Sequence, residues 1–141
     1  MAVRVIKFKT LEKNLSGRAG WKELLCPSAG SVLALLIGRD GCPGCVKFKP
    51  AFEKLARAFA GRRGRPAKFA RIHISCPGGS MTESIRAKKL LGHYFYPTAV
   101  VLARSKDLGV FEYHRAISPS IPELQRAVTA ALRAAKILAG K

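Results

Sequence analysis

Two cysteines separated by two residues stand between an apolar run and a stretch of helical periodicity, and this order constrains the fold strongly. Residues 32–37 are continuously apolar, as in a strand covered on both faces of a parallel sheet. Cys42 and Cys45 follow, with Pro43 and Gly44 between them. The next apolar residues recur at helical spacing, at Val46, Phe48, Phe52, Leu55, Ala56 and Phe59. This pattern predicts a strand, a turn and a helix whose first turn carries both thiols.

A thiol at the start of a helix differs chemically from a thiol elsewhere. The unpaired amides and the positive end of the helix stabilise a thiolate, so Cys42 is the predicted nucleophile and its sulfur is expected to be exposed. Cys45, one turn further along, is the predicted resolving thiol that closes a disulfide with Cys42. The motif therefore predicts thiol–disulfide exchange.

Two other interpretations of the motif remain open, half of a zinc site and a structural bridge. A zinc site needs two further ligands. The candidate residues are Cys26, Cys76, His73, His93 and His114. They form no second closely spaced pair, so the sequence favours redox chemistry and no cofactor or metal is expected.

Size and composition narrow the class of protein. With 141 residues, 48% of them apolar, we predict a single domain over residues 1–141 with its own core. No window reaches the roughly 18 apolar residues of a membrane span. The N-terminus lacks the apolar segment of a secretory signal, so the predicted compartment is the cytoplasm. In the cytoplasm, four cysteines are more typical of catalysis or metal binding than of a disulfide framework.

The charge of the chain is the second large constraint, since 26 basic and 8 acidic side chains give a net charge of +18. Such a field attracts polyanions, which predicts weak, salt-sensitive association with nucleic acid or selection of acidic protein substrates. The cluster of Arg62, Arg63, Arg65 and Lys68 is a candidate for phosphate contacts, with a solvated basic turn as the simpler interpretation. The sequence shows no helix-turn-helix pattern and no aromatic RNA-binding signature.

Apolar runs and turn residues in the rest of the chain predict a βαβαβα order of elements followed by ββα. Strands are predicted at 3–8, 32–37, 68–75, 97–103 and 108–114, and helices at 21–25, 43–60, 80–91 and from 120 onward. Ser80-Met81-Thr82-Glu83 has the capping-box form at the start of the third of these helices. The connection lengths make the first three strands parallel and the last pair antiparallel. The predicted class is α/β, with helices flanking a mixed sheet of four to five strands.

This order resembles the thioredoxin fold over most of the chain, and three local matches carry the resemblance. The Cys-x-x-Cys follows a buried strand, and Pro50 falls five residues after Cys45, where thioredoxins carry a helix-kinking proline. Tyr96-Pro97-Thr98 matches the cis-proline element that faces the disulfide. The resemblance implies a protein disulfide oxidoreductase, in which Tyr96, Pro97 and Thr98 offer a backbone edge to an extended substrate peptide. It also implies protein disulfide or dithiol substrates and a thioredoxin-reductase-type electron donor.

Departures from the family pattern leave the direction open between reductase and oxidase or isomerase. Leu36 stands where thioredoxins carry a buried Asp, and Gly38 and Gly41 stand where they carry Trp. The dipeptide between the cysteines is Pro-Gly rather than Gly-Pro. Arg71 falls where thioredoxins place a lysine beside that Asp, so it is expected to lack that partner.

Cys26, Cys76 and His73 lie outside the motif, and a separate prediction is made for each. Cys76 follows the third predicted strand, at the edge of the sheet that Cys42 shares, and is either an accessory redox thiol, a glutathionylation site or a partly buried spectator. Cys26 precedes the second strand at the opposite end. A Cys26–Cys76 disulfide is therefore not expected, because its Cα atoms would exceed the ~7 Å limit. His73, in mid-strand, is expected to be a packed or hydrogen-bonded core histidine rather than a metal ligand.

The alternative function comes from a different class of protein. It is a binding module of thioredoxin fold whose basic surface docks nucleic acid or an acidic protein, with the cysteines structural.

Overall fold

The computed structural model describes residues 3–15, 20–26, 28–61, 67–107 and 109–138. Within those ranges the strands are β1 Val3–Lys7, β2 Val32–Arg39, β3 Lys68–Ile74, β4 Thr98–Ser105 and β5 Gly109–Ile117. The α-helices are α1 Phe8–Asn14, α2 Trp21–Leu25, α3 Pro43–Ala60, α4 Thr82–Leu91 and α5 Ile121–Leu138, and a 3₁₀ turn covers Pro77–Gly79. The predicted basic turn with Arg62, Arg63 and Arg65 lies outside the described residues, whereas Lys68 is exposed at the start of β3.

The five strands form one mixed sheet in the order β1-β3-β2-β4-β5. β3 lies between β1 and β2 and is parallel to both. β4 is antiparallel to β2, and β5 is antiparallel to β4. This arrangement confirms the predicted α/β architecture with three parallel strands and an antiparallel pair, because the long connections allow crossovers and the short β4–β5 connection does not.

β2 is apolar and buried as far as Gly38, because it lies at the centre of the sheet and is covered on both faces. Leu36 is 1% exposed and packs with α3 and α5, whereas Leu35 is fully buried on the other face with α1, α2 and α4. Complete burial of one such leucine contributes about 1.5–3 kcal/mol. The carboxyl end of this rigid strand leads directly into the turn that carries Cys42.

The two ends of α4 differ in how well the sequence predicted them. Gly92 ends the helix with φ of +77°, a left-handed conformation that glycine adopts without steric cost. The predicted capping box at the other end is wrong. Met81 is the N-cap, and the buried Glu83 carboxylate instead accepts a hydrogen bond of 2.8 Å from the Ser75 amide. That amide follows the end of β3, where a partly buried donor is stabilised by a hydrogen-bond partner.

Within the described part of the chain, no helix combines the length and the apolar character that a membrane crossing requires.

Candidate active site

The two motif cysteines occupy the first turn of α3, as the sequence predicted. Cys42 is the N-cap in an extended conformation, and Pro43 takes the first helical position, where its missing amide costs nothing. Cys42 and Cys45 are joined by a disulfide, with their Cα atoms 5.2 Å apart. The Cys45 amide also donates a hydrogen bond to Cys42 Sγ, at 3.1 Å. One of the amides that a helix start leaves unpaired is therefore aimed at the sulfur of the predicted nucleophile.

The burial of the two cysteines differs from the prediction. Cys42 is only 5% exposed, whereas Cys45 is half-buried, so the expectation of an exposed Cys42 sulfur is wrong for this disulfide form. The Cys42 sulfur turns toward the helix start, where it meets the Cys45 amide. Gly38 provides space for the second sulfur, since a Cβ added there would lie 3.4 Å from Cys45 Sγ.

The element around Pro97 lies against the motif. The Tyr96–Pro97 peptide bond is cis, and Pro97 is buried. A Cβ added to Gly44 would lie 3.3 Å from Pro97 Cδ, so the small residue at this position permits the close approach. The Pro97 carbonyl accepts from the Ser118 amide at 2.9 Å, and the Thr98 hydroxyl donates to the Phe95 carbonyl at 2.7 Å. The structure thus brings Gly44 and Pro97 together and fixes the start of β4 beside the disulfide.

Tyr96 has a charged and polar environment that the sequence did not indicate. Its hydroxyl hydrogen-bonds with the Ser84 hydroxyl at 2.8 Å. The Arg39 guanidinium lies 5.4 Å and the Lys88 ammonium 5.5 Å from the ring centroid, and the His93 ring meets it edge-on at 4.8 Å. Burial is the main cause that raises the pKa of the Tyr96 hydroxyl, so the phenol is neutral at physiological pH.

Solved structures with the same architecture are known, although no protein-family model matches the sequence and no curated protein matches it. Fasciola hepatica thioredoxin superposes with a TM-score of 0.57 at 19% identity, covering 91% of this chain and 98% of that one. Oxidised mitochondrial thioredoxin 3 from Saccharomyces cerevisiae gives 0.57 at 15% identity, covering 92% and 95%. Thioredoxin f2, in a complex with ferredoxin:thioredoxin reductase, gives 0.56 at 16%, covering 92% and 94%. The chain has the thioredoxin fold.

The thioredoxin fold brings Asp40 to the site, a residue that the sequence analysis missed. Asp40 Oδ1 lies 2.8 Å from His73 Nε2, and Oδ2 accepts from the Cys76 amide at 2.9 Å. The Asp40 amide in turn donates to the Ile74 carbonyl at 3.0 Å. The pKa of the Asp40 carboxyl is lowered, mainly by the bond from the Cys76 amide and then by the bond with His73. This carboxylate ties the turn before Cys42 to the end of β3.

His73 is hydrogen-bonded, as one of the two expected outcomes, but it is half-exposed rather than part of the core. It pairs in register with Gly38 across the parallel strands β2 and β3. Side chains at alternate positions share a face, and Leu36 and Phe69 place this face on the side of α3. His73 therefore faces the layer that holds Cys45.

The buried carboxylate of thioredoxins has no counterpart at position 36 here. Leu36 is buried and pairs in register with Arg71. Arg71 Nε is buried without a hydrogen-bond partner among the described residues.

Cys26 and Cys76 are both buried free thiols. They form no disulfide with each other, as the sequence predicted. Cys76 lies at the same edge of the sheet as Asp40. Cys26 lies 3.1 Å from the Ser31 hydroxyl, before β2, and burial raises the pKa of its thiol. Among the residues that the structure describes, no group of three or more His, Cys, Asp or Glu side chains is arranged to hold a metal ion.

Proposed function

We propose that this protein is a thiol–disulfide oxidoreductase that exchanges disulfides with protein substrates through Cys42 and Cys45. The observation that carries the proposal is the Cys42–Cys45 disulfide at the N-terminus of α3, with Gly44 between the cysteines lying close to Pro97. The helix start favours a thiolate on Cys42, and the 3.1 Å bond from the Cys45 amide adds a donor to that sulfur.

The exchange proceeds in two substitutions at sulfur. In the reductive direction, the Cys42 thiolate attacks a substrate disulfide, forms a mixed disulfide and releases one substrate thiolate. Cys45 then loses its proton and attacks Cys42 Sγ, which closes the 42–45 disulfide and releases the second substrate thiolate. Two electrons pass to the substrate, and an external dithiol restores the reduced pair. The reverse sequence oxidises a substrate dithiol.

His73 is the proposed acceptor for the Cys45 proton, since Leu36 provides none. It faces the same side of the sheet as Gly38, whose Cβ position is 3.4 Å from Cys45 Sγ. Asp40 holds the ring through its 2.8 Å contact with Nε2 and keeps His73 at this edge.

Tyr96, Pro97 and Thr98 are the proposed substrate-binding element. Tyr94 and Phe95, which precede it, are 78% and 61% exposed, and they provide an apolar surface beside the motif for an extended peptide. The known complex of ferredoxin:thioredoxin reductase with thioredoxin f2 supports a reductase-type electron donor for this chain as well.

Reduction of insulin by dithiothreitol tests the reaction. The wild-type protein should accelerate the appearance of turbidity, and Cys42→Ser should remove the acceleration completely, because a hydroxyl at this position cannot form a mixed disulfide. Cys26→Ser is the control, since that buried thiol lies at the opposite end of β2 and its loss should leave the rate unchanged. If the wild-type protein did not accelerate insulin reduction, the oxidoreductase function would be excluded. The alternative, a binding module with structural cysteines, would then be favoured.

His73→Gln tests the proton acceptor in the second step. Release of the substrate from the Cys42 mixed disulfide, followed in a single turnover, should slow by about tenfold to a hundredfold, within the range that general-base catalysis supplies. The attack of Cys42 on the substrate should keep its rate. His114→Gln is the matched control, because His114 on β5 makes a similar 2.9 Å contact with Glu123. Equal second-step rates in both variants would rule out the role of His73.

A further inference from the structure

The outer faces of α3 and α5 are both basic and lie on the same side of the sheet. Both helices pack on the same side of the sheet through one apolar cluster and contact each other there. The side chains opposite that cluster are exposed and positively charged. We call them the basic helical face: Lys47, Lys54 and Arg57 on α3, with Arg126 and Arg133 on α5. Lys49 and Lys136 lie exposed at its flanks.

The charges of the basic helical face are not neutralised by neighbours. None of its five side chains makes an ion pair with a described carboxylate. Each of the two helices carries one acidic residue, the half-buried Glu53 on α3 and Glu123 on α5, which His114 engages. Positive charge on this face therefore remains available to a partner.

The opposite layer of helices differs in this respect. Arg86 on α4 pairs with Glu12 on α1 at 2.9 Å, and Lys22 on α2 pairs with Glu112 at 3.4 Å. The helices of that layer carry six basic and three acidic residues, whereas α3 and α5 carry seven basic and two acidic ones, so the excess of positive charge is larger on the side of α3 and α5. Since none of the five cations of the basic helical face pairs with a described carboxylate, this larger excess favours that face as an electrostatic surface.

The spacing of the cations suits a regular polyanion. Lys47 and Arg57 are separated by about 15 Å along α3, and Arg126 and Arg133 by about 10 Å along α5. Between the two arginines lies a shallow open depression of about 520 Å³ that includes the small residues Thr129 and Ala130. About 15 Å of a nucleic-acid duplex carries roughly nine phosphates, so its backbone can meet several of these cations at once.

We propose that the basic helical face binds the phosphate backbone of duplex nucleic acid without reading its sequence. Charge complementarity carries the assignment. A protein partner fits less well, because a stable protein interface needs a buried apolar centre. Among the described side chains of these two helices, the large exposed apolar ones are Val46, at the start of α3, and Ile137, near the end of α5, both outside the centre of the face.

The proposal is independent of the redox chemistry, because none of the five cations belongs to the disulfide site. Binding of a short fluorescent duplex, followed by anisotropy over a series of salt concentrations, tests it. The slope of log K against log salt is negative for such binding. In the triple variant Lys54→Gln, Arg126→Gln, Arg133→Gln it should become less negative by about 2 to 3. Its affinity at low salt should fall at least about tenfold.

The matched control is Lys9→Gln, Lys13→Gln, Lys89→Gln, which removes three exposed positive charges from α1 and α4 on the opposite layer. It should leave the slope within about one unit of the wild-type value. Cys42→Ser should bind as the wild type does. Equal weakening in both triple variants would overturn the proposal, since binding would then follow net charge alone.

Two further arms distinguish other polyanions. Vesicles that contain acidic phospholipid, and polyglutamate of the same charge as the duplex, should compete weakly. If either displaced the duplex at equal charge concentration, or if the wild type bound vesicles but no duplex, the face would be a lipid or acidic-protein surface and the proposal would be wrong.

Discussion

His93 shows at the scale of one residue how the surroundings of the site set a charge state. The side chain is 2% exposed, and neither ring nitrogen has a hydrogen-bond partner among the described residues. Burial, and then the charges of Lys88 and Arg115, lower the pKa of His93 to about 4. The ring that meets Tyr96 edge-on is therefore neutral at physiological pH.

The low pKa of His93 predicts a loss of stability in mild acid. An unfolded histidine has a pKa near 6.5 and binds a proton below that pH, whereas folded His93 stays neutral down to about pH 4. The unfolded state thus binds more protons in this window, and the free energy of unfolding should fall by up to about 3 kcal/mol as the pH drops from 6.5 to 4.

Urea unfolding of wild type and His93→Phe over this pH range measures the effect. Phenylalanine keeps a ring against Tyr96 but cannot bind a proton, so the variant should lose less stability in acid. The carboxyl groups of Asp40 and Glu112 have lowered pKa values and affect stability mainly below this window. Parallel pH profiles of wild type and variant would contradict the assignment.

Residues of the site differ in how far the sequence could predict them. Cys42 and Cys45 were predicted because the motif follows a buried strand and opens a helix, whereas Pro97 was predicted only from the resemblance to the thioredoxin family. Asp40 was missed because its partners lie 33 and 36 residues away, and an isolated aspartate in a turn gives no signal of them. The burial of Cys42 depends on the rotamer of its side chain and on contacts across the site, which a sequence pattern does not contain.

At the scale of elements, long periodic segments were predicted well and their ends less well. The predicted helix over 43–60 matches α3, because its apolar spacing persists for several turns and Gly61 follows it. The capping box predicted at the start of α4 was wrong, because the Glu83 carboxylate accepts a hydrogen bond from the Ser75 amide after β3 instead. Phe8, predicted as the last residue of the first strand, begins α1 and is fully buried there. A buried aromatic residue suits both elements, so its type alone cannot set the boundary.

At the scale of the whole molecule, the fold carries more positive charge than its ion pairs can balance. Excess charge of one sign repels itself in the compact state and lowers stability. In ~10 mM salt these repulsions extend over a Debye length of about 30 Å, which spans most of a domain of this size. At ~0.15 M they are limited to about 8 Å.

Added salt should therefore stabilise this protein. Tm should rise by several degrees as sodium chloride increases from about 10 mM to about 150 mM, because screening weakens repulsion more than it weakens the few surface ion pairs. Differential scanning calorimetry measures the change.

The variant Lys9→Gln, Lys13→Gln, Lys89→Gln carries three fewer charges, so its Tm should depend less on salt. Sodium sulfate at equal ionic strength should act like chloride if screening is the cause. A Tm that stays constant or falls with salt would show that repulsion among the excess positive charges does not limit the stability of the fold.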